Sequence, residues 1–249
     1  MSSANDAFAI EMSGGSVHDG KGGTIFSNIG GSLTINQVQF SNNNGMALIS
    51  MSGAASGAVV TDTIITGGAF TVSSNGEILA LQITYTHSNH FPLKDVFNII
   101  NGAGLVASGV EVSGTSVQGA VFSLDQSRGT IANTSISNID MTGTSATWAG
   151  VNVTNGGSAH VTNTTFLKDK QMLAAMLAFG TGSSLNADRI SFNNLEGSRG
   201  FSASLVASVY YLDANATGSL NLAQFDNVSQ FTVRTKVADV RFLLLIFAH

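Results

Sequence analysis

The chain contains no cysteine and a single proline. Without cysteine there are no disulfides and no thiolate metal ligands, while the redox compartment stays open, because a stacked repeat can be secreted without bridges. One proline against 28 glycines leaves chain reversal to glycine and asparagine. Charge is equally scarce. Asp, Glu, Lys and Arg make up 10% of the residues, against roughly 25% in ordinary soluble domains. With apolar residues at 43%, the surface must be covered largely by Ser, Thr, Asn and Gly, which suits broad polar sheets better than helices clad in Lys and Glu. The net charge of −5 is spread evenly. No basic cluster is present that could follow a phosphate backbone, which argues against nucleic acid as a partner.

The amino-terminal stretch MSSANDAFAIEMSGG has neither a basic segment nor an apolar core, so it does not read as a secretory signal. Near the other end, Phe242 to Ala248 form a seven-residue apolar run, far short of the roughly 20 residues of a membrane helix. It reads either as a buried last strand or as the end of a fragment or misread gene.

What the chain does have is a repeat. In residues 30 to 52, two glycines lead into Leu33, Ile35, Val38 and Phe40, at offsets 0, 2, 5 and 7. A step of two keeps the side chains on one face of a strand, and the step of three crosses a tight corner that restores that face. The template recurs at Ala58, Val60, Thr63, Ile65; at Ile78, Ala80, Ile83, Tyr85; and at Leu105, Ala107, Val110, Val112. It continues at Gly129, Ile131, Thr134, Ile136; at Ala159, Val161, Thr164, Phe166; and at Leu185, Ala187, Ile190, Phe192. An eighth match, Leu220, Leu222, Phe225, fails at Asn227. Starts are 20 to 35 residues apart, a variation that stacked β-repeats tolerate because extra residues leave as loops.

Offset 4 is polar in seven of the eight repeats (Gln37, Asp62, Gln82, Asn133, Asn163, Arg189, Gln224, with Gly109 the exception). That predicts a corner facing solvent or carrying a stacked hydrogen-bond ladder. Offset 9 holds Asn or Gly in five of eight, residues that accept left-handed backbone at a bend. A second apolar segment lies in each interval, as at Met46 to Met51, Val96 to Ile100 and Trp148 to Val153. Gln171 to Phe179 has helical propensity, but its flanking glycines and its place in the repeat assign it to a strand.

The units Gly30 to Asn43, Gly156 to Phe166 and Gly182 to Asn194 resemble those of right-handed parallel β-helix proteins, the pectin-lyase-like superfamily and its non-enzymatic adhesin relatives. The resemblance covers roughly residues 20 to 230. Phe40 to Asn43 is also similar to the FxxN element of polymorphic-membrane-protein repeats, whose companion GGAI motif is absent here. The resemblance implies an all-β, right-handed parallel β-helix of about eight to nine coils, with binding on an outer face or by corner loops. Residues 1–20 would form a partial first coil, 21–230 the coils and 231–249 a terminal strand or tail, together one domain cut from a longer protein. It carries over no catalytic residue, because such a fold serves lyases, hydrolases and passive adhesins alike.

The residues supply little chemistry. Asp62 and Asp188 share nearly the same corner but lie five repeats apart, on the order of 24 Å, too far to share a calcium ion or a glycosidic bond. Asp188 beside Arg189 reads as a solvated corner. His87 and His90 are the close histidine pair, with Asp95 the nearest third ligand, and read as an exposed insertion rather than a metal site. The pairs Gly22-Gly23, Gly30-Gly31 and Gly156-Gly157 are turn glycines, not phosphate loops. Sequons at Asn133, Asn152, Asn163, Asn215 and Asn227 are expected from composition. The pairs Thr61/Thr63, Thr84/Thr86, Thr142/Thr144 and Thr162/Thr164 fall at differing offsets and cannot build one flat ice-binding face.

No catalytic, cofactor or metal residue is therefore assigned. The expected function is a non-catalytic structural or adhesive module of a secreted or cell-surface protein, presenting polar faces to polysaccharide, surface glycan or protein, with end-to-end self-association. The alternative is a carbohydrate-active enzyme, a polysaccharide lyase or glycoside hydrolase, of the same fold.

Overall fold

The structure is a computed structural model describing residues 8–43, 47–87, 95–114, 119–139, 149–172, 174–197, 208–229, 232–235 and 242–244. It is all-β: a 21-stranded parallel sheet and a small two-stranded one, with no helix among the described residues. Apart from those at the ends, each strand pairs in parallel with the equivalent strand one repeat earlier and one repeat later, which sorts the large sheet into three ladders.

The first ladder begins with Phe8–Ser13 and ends with Phe242–Leu244. Its inward column runs Leu33, Ala58, Ile78, Leu105, Gly129, Ala159, Leu185, Gly218, each registered on the next. In the second ladder Phe40, Ile65, Tyr85, Val112, Ile136, Phe166, Phe192 and Phe225 stack in the same way. The columns expected at offsets 0, 2, 5 and 7 are thus physical stacks, and most of their members are fully buried. The last repeat is the correction. Its register starts at Gly218, two residues before Leu220, so Leu222 is not a core position but lies at the corner, 41% exposed. Taking Leu220 as the start rejected a glycine that the core in fact requires.

The corners turn on left-handed backbone. At offset 4, Gln37, Asp62, Gln82, Asn133, Asn163, Arg189 and Leu222 have φ between 46° and 56°. Short polar side chains tolerate this region best because they can hydrogen-bond locally. At a second corner Asp19, Asn42, Asn138, Lys168, Asn194 and Asn227 are likewise left-handed, and a third uses Asn75, Asn101, Gln126 and Asn155. Side-chain hydroxyls help to close the first corner. Thr63, Thr134 and Thr164 point inward and donate to the carbonyl two residues back, at 2.7, 3.0 and 3.0 Å.

The third ladder is built from the second apolar segments, and its inward column is Ile49, Phe70, Phe97, Phe122, Val151, Met176, Tyr210. Phe70, Phe97 and Phe122 stack face to face at 4.7 and 4.9 Å. Ala120–Asp125, Ala149–Thr154 and Ala174–Phe179 are buried on both faces over most of their length, which is why they are mostly apolar, with Ser123 and Asn152 as buried polar exceptions. Ala174–Phe179 is a strand, as its setting predicts, despite a helix-prone composition. The columns of all three ladders meet in one continuous core.

Candidate functional site

The outward side of the first ladder carries a groove of about 690 Å³. Two outward columns shape it. The first column reads Ser32, Gly57, Glu77, Gly104, Arg128, Ser158, Ser184, mostly small residues that leave a trough. The second reads Thr34, Val59, Leu79, Val106, Thr130, His160, Asn186 and forms a taller wall. Ser32 and Ser184 are six strand spacings apart, roughly 29 Å at about 4.8 Å each. Val59 and Val106 are 37% and 45% exposed, so the wall offers apolar as well as hydroxyl surface.

One ion pair runs along the trough. Glu77 and Arg128 stand two strands apart with Gly104 between them, and the Arg128 guanidinium donates to Glu77 Oε1. A Cβ at Gly104 would lie 3.4 Å from Glu77 Oε1 and 3.5 Å from Arg128 Nε, in ordinary contact, so only a longer side chain there would stand in the pair's way. Both side chains are two-thirds exposed. Such a pair contributes at most about 1 kcal/mol to stability, so its effect lies in cancelling the charge of the groove.

The other candidates from the sequence lie elsewhere. Asp62 is exposed at the first corner, and Asp188 pairs with its neighbour Arg189 at 2.7 Å. The ladder places them five strand spacings apart, and nothing brings them together. Arg189 also donates through Nε to Asn163 Oδ1 at 2.6 Å, which makes it part of the corner. The His87 side chain and all of His90 lie outside the described residues, as do Thr142 and Thr144. Asp95 Oδ1 accepts the Ala120 amide at 2.7 Å. Among the described residues no three His, Cys, Asp or Glu gather where they could hold a metal. Thr63 and Thr164 are buried, so their pairs present one hydroxyl outward, not two. Of the sequons, Asn152 is buried and cannot carry a glycan in the folded chain, whereas Asn215 and Asn227 are exposed.

Glu77 and Arg128, 51 residues apart, went unnoticed in the sequence. The signal was present: each sits one position before its repeat's first core residue, Ile78 and Gly129. Outward positions show no apolar recurrence, so nothing singles them out until register is known.

Three groups have perturbed acidity by burial. Tyr85 and Tyr210 are pushed above the ordinary phenol range, and each donates to a carbonyl, Gly68 at 2.7 Å and Leu185 at 2.6 Å. Burial pushes Asp169 well above the carboxylate range, with backbone hydrogen bonds from Ile139 and Leu167 opposing it. None of the three lines the groove. Among the described residues no helix is long and apolar enough to cross a membrane.

Comparison with known proteins returns no matching protein family, no matching curated protein and no matching solved structure.

Proposed function

We propose that the three ladders wind into a right-handed parallel β-helix of the pectin-lyase-like kind, a non-catalytic module of a secreted or cell-surface protein that binds an extended glycan along the first-ladder groove. The observation that carries this reading is the groove itself. It runs perpendicular to the strands for roughly 29 Å, with serine and threonine hydroxyls and Asn186 toward its two ends and the exposed methyls of Val59 and Val106 between them. A sugar chain offers the matching pattern of hydroxyl edges and apolar ring faces, and strand spacing is close to the advance per sugar in an extended 1,4-linked chain.

Binding without turnover is supported by the composition of the trough. Among the described residues its lining holds one carboxylate, Glu77, already engaged by Arg128. Glycoside hydrolysis ordinarily requires two carboxyl groups about 5 to 9.5 Å apart across the scissile bond. The test is calorimetric titration with cello- and xylo-oligosaccharides and an oligogalacturonate, followed by chromatography of each mixture. At Gly57 a Cβ would meet nothing within 4 Å, so Gly57→Phe fills the trough without straining the fold. Saturable binding with intact sugars, lost in Gly57→Phe, is the expected result. Shortened products favour the enzymatic alternative, and the absence of binding to any of the sugars overturns the glycan reading.

A further inference from the structure

Resting on the glycan reading, we infer that Glu77 sets the charge specificity of the groove: by holding Arg128 it makes the trough select neutral sugar chains and refuse uronates. Among the described residues Arg128 is the lining's one guanidinium, and Glu77 its one carboxylate. They are not neighbours in the first ladder but next-nearest, with Gly104 between them. At the intervening position even a Cβ would only touch the pair, so Gly104 leaves the two side chains free to meet above it.

A guanidinium left alone in this trough would be a strong donor site for a sugar carboxylate, because charge-assisted N–H···O⁻ contacts are about twice as strong as neutral ones. With Glu77 bound to it, that site is filled by the protein's own carboxylate, and an incoming uronate must displace one anion with another. A neutral sugar loses nothing by the arrangement. It meets Ser32, Thr34, Thr130, Ser158 and Asn186 as hydrogen-bond partners and the valines as apolar surface. Specificity of this kind comes from the contact denied to the wrong ligand as much as from those offered to the right one. The pair's small worth to stability leaves the substitutions below free of a folding penalty.

The test uses the full chain, at pH 8 to stand above the ordinary titration range of an imidazole, with a cello- or xylo-oligosaccharide and an oligogalacturonate of equal length. The unaltered protein is expected to bind the neutral chain and to bind the uronate at least tenfold more weakly. Glu77→Gln should raise uronate affinity by about tenfold in low salt, with the gain shrinking as salt is added. Adding Arg128→Gln should abolish that gain and return uronate affinity to that of the unaltered protein. An unaltered protein that binds uronate as tightly as the neutral chain, or a Glu77→Gln variant with no gain, overturns the inference and leaves the glycan reading standing. No binding of either sugar by the unaltered protein overturns the glycan reading and this inference with it.

Discussion

The side-chain amide of Asn163 donates to Oδ1 of Asn133 across one strand spacing, at 3.2 Å, and the two residues share the same left-handed backbone, with φ of 46° and 49°. Asn163 in turn accepts from Arg189 Nε at 2.6 Å. The first corner therefore carries its own polar ladder beside the backbone one, and each member answers two demands: a positive φ and a hydrogen bond along the stack.

These demands separate by mutation. Asn163→Gly keeps the backbone and loses the ladder contacts, a cost of about 0.5–1 kcal/mol for exposed hydrogen bonds. Asn163→Val loses the same contacts and also forces a β-branched residue into left-handed space, adding about 1–3 kcal/mol. Urea unfolding should rank the proteins as unaltered, then Gly, then Val, and equal midpoints for the two variants would show that the corner is not strained.

Asp169 and Asn43 hold equivalent places, each one residue past the left-handed position of the second corner. Asn43 is fully used: Oδ1 accepts the Gly20 amide at 3.1 Å and Nδ2 donates to the Val17 carbonyl at 2.9 Å. Asp169 accepts the Ile139 amide at 2.8 Å through Oδ1, but its buried Oδ2 has no partner. Burial raises the folded-state pKa of this carboxyl well above 3.8. The unfolded chain then releases its proton first, so the stability linked to this group is fully present below about pH 3.8 and is lost as pH rises toward the folded value. Asp169→Asn supplies a donor where Asn43 has one and removes the charge. At pH 7 it should stabilise the protein by about 1–3 kcal/mol, with little effect at pH 3.5. Urea midpoints at the two pH values decide it, and a variant less stable at pH 7 would show that the ionised carboxylate is the favoured form.

The parts of the fold that were legible in the sequence are those that recur with an apolar period. Leu33, Ile35, Val38 and Phe40 announce a strand, a corner and a second strand because burial demands the same offsets in every repeat. The first corner was legible at Asn133 and Asn163 as a polar position between two apolar pairs, and the second at Asn42, Asn138 and Asn194 because few residue types accept left-handed backbone. Register at the last repeat was not, since Gly218 takes a core place on account of what it lacks, and a template of apolar side chains slides past it to Leu220. Glu77 and Arg128 were illegible for another reason: outward positions are under no packing rule, and their meeting depends on two unequal repeat lengths adding to bring them into line.

Phe97 lies between Phe70 and Phe122, with interplanar angles of 3° and 14°. It is fully buried, and its ring touches one aromatic on each side along the stack. Phe97→Ala should cost about 3–5 kcal/mol, while Phe97→Leu, which refills most of the volume, should cost roughly 1–1.5 kcal/mol. The difference between them, read from thermal or urea unfolding, measures how far the column can collapse. A loss below about 1 kcal/mol for Phe97→Ala would mean that the third ladder is not a packed core.

Gly218 marks the place where the first ladder makes room for the third. The Tyr210 hydroxyl donates to the Leu185 carbonyl at 2.6 Å, and Leu185 is the residue registered directly on Gly218. A Cβ at Gly218 would stand 2.6 Å from that hydroxyl and closer still to the Leu185 oxygen, so both must shift. Because one of the two obstacles is backbone, the shift is not absorbed by a flexible side chain, and Gly218→Ala should lose about 1–3 kcal/mol. Tyr210→Phe removes the hydroxyl, and by itself should cost about 1–2 kcal/mol through the lost buried hydrogen bond. In the double variant the phenol no longer opposes the methyl, while the Leu185 carbonyl still does. The two losses should therefore add to less than their sum, by about 0.5–1 kcal/mol, in a double-mutant cycle read by urea unfolding. Strict additivity would show that the hydroxyl and the missing side chain do not share the same space.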